Sequence, residues 1–382
     1  MSPLRTPDRL GTSRTPHHQE TPLNTQSTRR ILGATVTTAC LALALSGCVE
    51  SGRSSTAAPA EDSACPWTPD ESIDTTARIA WQAVPNGDVV VKDLGLLEAC
   101  MPNADISWVQ AASGGDVVGY YAAGEVDLGL MGSSPATIAS SAPTNADVDL
   151  DVVWVHDVIG DAESLIAKDP SVKGIEDLRG ATIAVPFSST AHYSLLQALL
   201  DAGMDPEKDV KVINLDPEKM AGAWQGDQID AAWVWDPTQS VLLGDGGTRI
   251  LSSADTAEAG RPTFDLGTVD AAFAQQNPEF MEQWAKVEDH AVKLIQDDPA
   301  EAAESVAVVL GIDPADAEKQ FAGLTYLDAA EQAGPDYLGG KLADDLHTTA
   351  GFLQEQGGID AVGTKQDYAD HVDAGPAASV GQ

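Results

Sequence analysis

Two short segments carry the residue types that hold an anion. Gly132-Ser133-Ser134-Pro135 follows the apolar run Val126–Leu130, and Phe187-Ser188-Ser189-Thr190-Ala191-His192-Tyr193 follows the run Ala181–Val185. Each reads as a strand that ends, a turn of small hydroxyl residues, and a helix that begins. Such a turn aims free backbone N–H groups and hydroxyls at one point, and the positive end of the helix dipole adds its attraction. Ser and Thr are also the preferred N-caps, so capping alone accounts for either turn taken singly. Two of them at the carboxyl ends of strands lie where open α/β sheets bind ligands.

Other chemistries find little support. His156, His192, His290, His347 and His371 lack the close spacing of metal ligands, and no metal is expected. There is no Walker A or dinucleotide glycine loop, and no cofactor is expected. Ser189 or Ser194 with His192 could in principle build a hydrolase, but the strained elbow around a nucleophilic serine is missing. His192 reads as a hydrogen-bond donor or as a core histidine.

The elements that must position these turns alternate along the chain. Ala77–Trp81, Ile106–Val109, Val126–Leu130, Val152–Val155, Ser164–Lys168, Ala181–Val185, Val210–Leu215 and Ala231–Trp235 read as strands. Val89–Ala99, Asp116–Ala123 and His192–Ala202 read as helices, the last stopped by Gly203. From Pro278 to Leu327 and from Asp336 to Glu355 the pattern is helical. Strands alternating with helices predict an α/β protein with parallel sheets. Gly124-Glu-Val-Asp127 and Gly226-Asp-Gln-Ile-Asp230 each lead into a strand, an echo that suggests two similar halves.

The N-terminal region has a different character. Arg29-Arg30 precedes an uncharged apolar run that ends in Leu45-Ser46-Gly47-Cys48. That is the anatomy of an export signal, too short to span a bilayer. Its last four residues resemble the lipobox of bacterial lipoproteins, which makes Cys48 the lipidated first residue of the mature chain. Thr28-Arg29-Arg30-Ile31-Leu32-Gly33 is similar to a twin-arginine motif, with Leu32 where an aromatic is usual. Val49–Asp62, rich in Ser, Ala and Pro, reads as a flexible leash. The formal net charge of −38 disfavours nucleic acid and anionic lipid surfaces as partners. Cys65 and Cys100 are the pair left once Cys40 and Cys48 are assigned to the signal and the anchor. In an oxidising compartment they are expected to form a disulfide; two buried free thiols are the alternative.

Several further segments recur together in one family. They are Trp81-Gln82, Ser113-Gly114 with Asp116-Val117, Gly132-Ser133-Ser134-Pro135, and Ile183-Ala-Val-Pro-Phe187 with Ser189-Thr190 and His192-Tyr193-Ser194-Leu195-Leu196. Ala223-Trp224-Gln225, Ile229-Asp230-Ala231, Val234-Trp235-Asp236-Pro237 and Pro262-Thr263-Phe264-Asp265 follow in order. Together they resemble the substrate-binding proteins of ABC importers for taurine, alkanesulfonates and nitrate, above all the taurine-binding branch.

The resemblance implies a two-lobed, type II periplasmic-binding fold with each lobe a doubly wound sheet and the ligand between them. Residues 1–48 would be the signal, 49–75 the leash, 76–160 the first part of lobe 1, 161–262 lobe 2, and 263–382 the rest of lobe 1 with C-terminal helices. It implies a monomer, lipid-anchored outside the cell, that passes its ligand to a membrane permease. It also implies a ligand site. Ser133, Ser134, Ser189, Thr190 and His192 would hold a sulfonate, with Gln82 adding a hydrogen bond and Tyr193 beside the helix terminus. Trp235 would cover the methylene carbons, while Asp265, with Asp236, would pair with an ammonium. Tyr193 and Trp235 read equally well as core, and Asp236 as the start of a turn. Ala112 and Ala191 replace polar residues that the family often has, which leaves ligand identity open. Within this fold the alternative ligands are a nitrate-like anion or a thiamine precursor; outside it, a surface enzyme acting on a small anion.

Overall fold

The computed structural model describes residues 64–380. The export segment, Cys48 and the leash up to residue 63 lie outside the described residues. Among the described residues, eleven strands form two sheets. They are β1 (Thr76–Trp81), β2 (Asp105–Gln110), β3 (Leu128–Gly132), β4 (Leu150–Ile159), β5 (Glu163–Ala167), β6 (Thr182–Val185), β7 (Lys211–Asn214), β8 (Ala231–Trp235), β9 (Thr248–Ser252), β10 (Phe264–Asp270) and β11 (Leu324–Thr325). The six-stranded sheet has the order β11-β4-β10-β3-β1-β2 and the five-stranded sheet β7-β6-β8-β5-β9.

Both sheets are mixed rather than parallel. β1 pairs in parallel with β2 and β3, and β6 with β7 and β8. β10 runs antiparallel to both β3 and β4, and β5 antiparallel to both β8 and β9. β5 and β10 are the strands that begin after the chain changes sheets; β11, at the edge, also pairs antiparallel, with β4. β4 ends at Ile159 in the first sheet and β5 starts at Glu163 in the second; the chain returns between Ser252, at the end of β9, and Phe264. At the outward crossing the N–H groups of Gly160 and Ala162 both donate to Gly323 O, at 3.1 Å each. A side chain at Gly323 would come within 2.5 Å of Ala162 N, so only glycine lets these backbones meet.

Alternation along the second sheet shows why it needs two layers of helix. Ile183 and Val185 join one core cluster while Ala184 between them joins another; Trp233 lies in the first, Ala232 and Val234 in the second. Successive side chains on a strand point to opposite faces, so a strand that is apolar at every position must be covered on both. The first sheet is enclosed by a larger cluster that includes Trp154, Phe280 and Trp284.

The helices start and stop by local rules. Ser189 caps Thr190–Asp201, accepting from His192 N–H, and Gly203 beyond its end takes φ 64°. The helix expected over Val89–Ala99 is two, Gly87–Leu94 and Leu96–Cys100, broken where Gly95 adopts φ 58°. Cys100 is joined to Cys65 by a disulfide, with Cα atoms 4.8 Å apart. Trp67 Nε1 donates to Gln283 Oε1 at 3.1 Å, and Ile73 is buried. The expected leash is therefore fastened to the body from Cys65 onward. Among the described residues no helix is long and apolar enough to cross a membrane.

Candidate ligand-binding site

A narrow cleft opens between the two sheets. The first sheet's side contributes Gln82, Gly114, Gly132, Pro135 and Asp265; the second contributes Glu163, Ser189, Thr190, Trp235 and Asp236. Val84, Pro85, Ile159, Ala162 and Leu324 complete an apolar floor near the outward crossing. The halves approach closely here, since a Cβ on Gly132 would lie 2.6 Å from Thr190 Cγ2.

Helix N-termini converge on this space. Gly114 opens Gly114–Ala122, Gly132 precedes Ser133–Ala139, and Ser189 precedes Thr190–Asp201; Val84 and Pro85 lead into Gly87–Leu94. The first N–H groups of a helix have no intrahelical acceptor. At the Thr190 helix the His192 N–H goes to Ser189 Oγ and the Tyr193 N–H to Ser189 O. The N–H groups of Thr190 and Ala191 remain as the open donors.

Two of the hydroxyl protons expected to hold an anion, those of Ser189 and Thr190, are committed elsewhere. Ser189 Oγ donates to Pro186 O at 2.6 Å, and Thr190 Oγ1 donates to Glu163 Oε2 at 2.6 Å. Ser133 Oγ accepts from Phe264 N–H at 3.3 Å, tying β10 to the neighbouring helix. Gln82 Nε2 donates to Leu130 O at 2.9 Å. Asp236 accepts from Ser240 N–H and Oγ and from Gln239 Nε2, so its carboxylate caps the turn that follows it.

Of the sequence-predicted residues, Gln82, Ser189, Thr190, Trp235, Asp236 and Asp265 share the cleft wall, while Ser133, Ser134, His192 and Tyr193 do not. His192 stacks on Phe187 with centroids 4.5 Å apart, and burial lowers its pKa to about 4, leaving it neutral. Tyr193 is buried in the first sheet's core cluster, edge-on to Phe352 at 5.2 Å. Trp235 keeps a partly exposed indole against Val84, Ile159 and Ala162.

Three buried carboxylates dominate the electrostatics. Asp265 is 8 % exposed, Glu163 1 % and Asp157 0 %. Burial raises Asp265 to about 7, with repulsion from Glu163 adding to it. Burial likewise raises Glu163 to about 7 against the hydrogen bonds of Ser253 and Thr190. Asp157, directly opposite Asp265 in the antiparallel register, is raised well above the usual carboxylate range by burial and by Asp265. Asp157 and Glu163 were not read from the sequence, because they sit inside strands whose surroundings signal only core. Among the described residues no group of ligands could hold a metal ion.

The NMT1-like family model matches residues 83–311. The chain belongs to the NMT1-like family. It is 34 % identical over 276 residues to the taurine-binding periplasmic protein of Escherichia coli, covering 70 % of this chain and 82 % of the relative. It is also 34 % identical over 182 residues to a putative aliphatic sulfonates-binding protein of the same organism, 47 % of this chain and 56 % of that one, so the chain matches about half of the second relative. The fold of this NMT1-like protein is shared with solved structures. One is the E. coli aliphatic sulphonate binding protein SsuA, with TM-score 0.61 and 24 % identity over 77 % of this chain and 91 % of that one. Another is the nitrate-binding protein NrtA of Synechocystis, with TM-score 0.64 and 15 % identity over 80 % of this chain and 87 % of that one.

Proposed function

We infer that this protein is the extracytoplasmic solute-binding component of an ABC importer, and that it binds taurine or a related small sulfonate without turning it over. The observation that carries the reading is the pairing of opposite electrostatic features around one small cleft. Open helix N-termini attract an anionic group. Buried carboxylates call for a cation, because an uncompensated charge in such a site is costly. A small zwitterion with an anionic head and an ammonium tail meets both demands. Trp235 and the apolar floor suit the methylene carbons between them. The 34 % identity to a taurine-binding relative supports the same reading. A nitrate-like anion would leave Asp265 and Asp157 without a counter-charge.

In this reading the donors to the sulfonate are backbone N–H groups, those of Thr190 and Ala191 first, while Ser189 and Thr190 shape the terminus. The mature chain would start at a lipidated Cys48 and be held at the outer face of the cell membrane as a monomer, exported by the twin-arginine or the general route. A thermal-shift screen against taurine, ethanesulfonate, nitrate, sulfate and amino acids tests the assignment. Saturable stabilisation by taurine, with the ligand recovered unchanged, is expected. No response to any sulfonate would overturn it.

A further inference from the structure

Asp157 is buried beside the cleft but is not part of its wall. Asp157 lies on β4, opposite Asp265 on β10, and neither strand supplies a cation to separate them. Residues directly opposite on an antiparallel pair have Cβ atoms about 4.5–5.5 Å apart, and like charges placed so repel. Apart from its hydrogen bond with Asp265 itself, the Asp157 carboxyl receives Asn86 Nδ2, at 3.4 Å on Oδ2.

The groups facing the pair from every side add no positive charge. Glu163 faces it from β5, and Asp236, just past the end of β8, shares the cleft wall with Asp265. Tyr326, beyond β11, gives its hydroxyl to Pro85 O at 2.6 Å. Arg249, which acts on Asp236, is held by Asp161 at 3.2 Å. His156 precedes Asp157 on the strand but turns to Trp284 and Glu288, and burial keeps it neutral. Two carboxylates this close and this dry share a proton rather than both ionise.

We propose that Asp157 and Asp265 hold one proton between them in the ligand-free protein, and that an aminosulfonate expels it to solvent when its ammonium takes the proton's place. The balance is simple: one carboxylic acid, one carboxylate and one ammonium become two carboxylates, one ammonium and one released proton. Asp157 acts through Asp265, as the positioning residue that carries the proton linkage up to neutrality. The inference rests on the sulfonate reading for the identity of the cation, but the shared proton stands apart from it. Burial raises both groups, which agrees with a pair that is still protonated near neutrality.

Calorimetry of taurine binding in buffers of different ionisation heat tests the coupling. At about pH 6 close to one proton should leave per taurine bound, and none per ethanesulfonate. Affinity for taurine should climb about tenfold per pH unit up to neutrality and then level off. Asp157→Asn leaves Asp265 buried beside Glu163, so the proton release should persist but end at a lower pH than in the wild type, and the pH slope should level off there. Taurine binding whose heat is independent of buffer overturns the proposal and leaves the sulfonate reading standing. Carboxyl carbon NMR on the ligand-free wild type and on Asp157→Asn decides the pair even if taurine fails to bind. One proton shared to about neutral pH in the wild type, with both carboxyl carbons following the same two steps, and a single step at Asp265 in the variant support it. Two ordinary acid titrations in the wild type overturn it.

Discussion

Thr190 Oγ1 donates to Glu163 Oε2 across 2.6 Å, and this bond decides what the helix terminus offers a ligand. While Glu163 is ionised it consumes the Thr190 hydroxyl proton and that of Ser253, so the cleft sees backbone N–H groups instead of hydroxyl donors. Thr190→Val should cost about 1–3 kcal/mol of stability, because it strips a buried carboxylate of a donor. Urea unfolding of the ligand-free variant measures the loss, and a change within error would mean the bond contributes nothing.

The pH dependence of stability should run opposite to ordinary acid denaturation. Glu163, Asp265 and Asp88 are each raised to about 7 by burial, and burial also holds Asp157 and Glu288 well above the usual carboxylate range. A carboxyl whose pKa is higher folded than unfolded stabilises the protein fully below its unfolded pKa, and that contribution is lost as pH rises toward the folded value. Ligand-free Tm should therefore fall as pH rises from about 4.5 to 7, and Glu163→Gln should flatten part of the slope. Scanning calorimetry across that range checks it. A Tm that climbs with pH there would show these carboxyls ionised at ordinary values.

How much of this was legible beforehand follows from which signals are local. β8 was read with its boundaries intact, since Ala231–Trp235 is an apolar run between an aspartate and a proline turn. The missed β10 is Phe-Asp-Leu-Gly-Thr-Val-Asp, buried along most of its length but without alternation or a long apolar run. Its antiparallel direction follows from the chain returning out of the other sheet, which no local pattern encodes. The two strand-to-helix turns were visible, yet the fate of their hydroxyls was not. Glu163 takes its partners from 27 and 90 positions away, and Tyr193 finds Phe352 on a helix from the far end of the chain.

The Tyr193–Phe352 contact should hold the two halves together. Tyr193 belongs to a helix on the second sheet but is buried in the core cluster of the first. An edge-on aromatic pair adds about 0.5–1.5 kcal/mol beyond its area burial. Phe352→Ala should weaken taurine and ethanesulfonate by the same factor, of roughly tenfold or less, because closure serves both ligands. Small-angle scattering of the ligand-free variant should show a larger radius of gyration. An unchanged radius with unchanged affinities would make the contact a packing detail.

The disulfide closes a loop of sequence separation 35. Chain-entropy reasoning gives a stabilisation of about 3–4 kcal/mol for a loop of this length. Thiol titration of denatured, unreduced mature protein should find neither Cys65 nor Cys100 free, and Cys100→Ser should lower stability by about that amount. Two reactive thiols would refute the pairing.

Anchoring is tested at Cys48. Attachment through more than one acyl chain is durable, whereas a single chain is not. Cys48→Ala should release the protein to the medium or leave it unprocessed, read out by fractionation and mass. Normal processing with unchanged membrane retention would exclude lipidation at this cysteine.

Ligand choice rests on Asp265, the carboxylate of the buried pair that reaches the cleft wall. If it faces an ammonium there, Asp265→Asn should weaken taurine by roughly 2–4 kcal/mol, the range for breaking a buried charge pair. Ethanesulfonate, with the same head group and no amine, should lose much less, since its complex never contained that pair. Ser189→Ala gives the contrast. Its hydroxyl caps the helix and donates to Pro186, so the variant should lose about 1 kcal/mol of stability while the ratio of the two affinities stays put. Calorimetry with both ligands on both variants separates the roles. Equal losses for the two ligands in Asp265→Asn would make Asp265 a residue of the strand crossing, and the cation half of the site would have to be sought elsewhere.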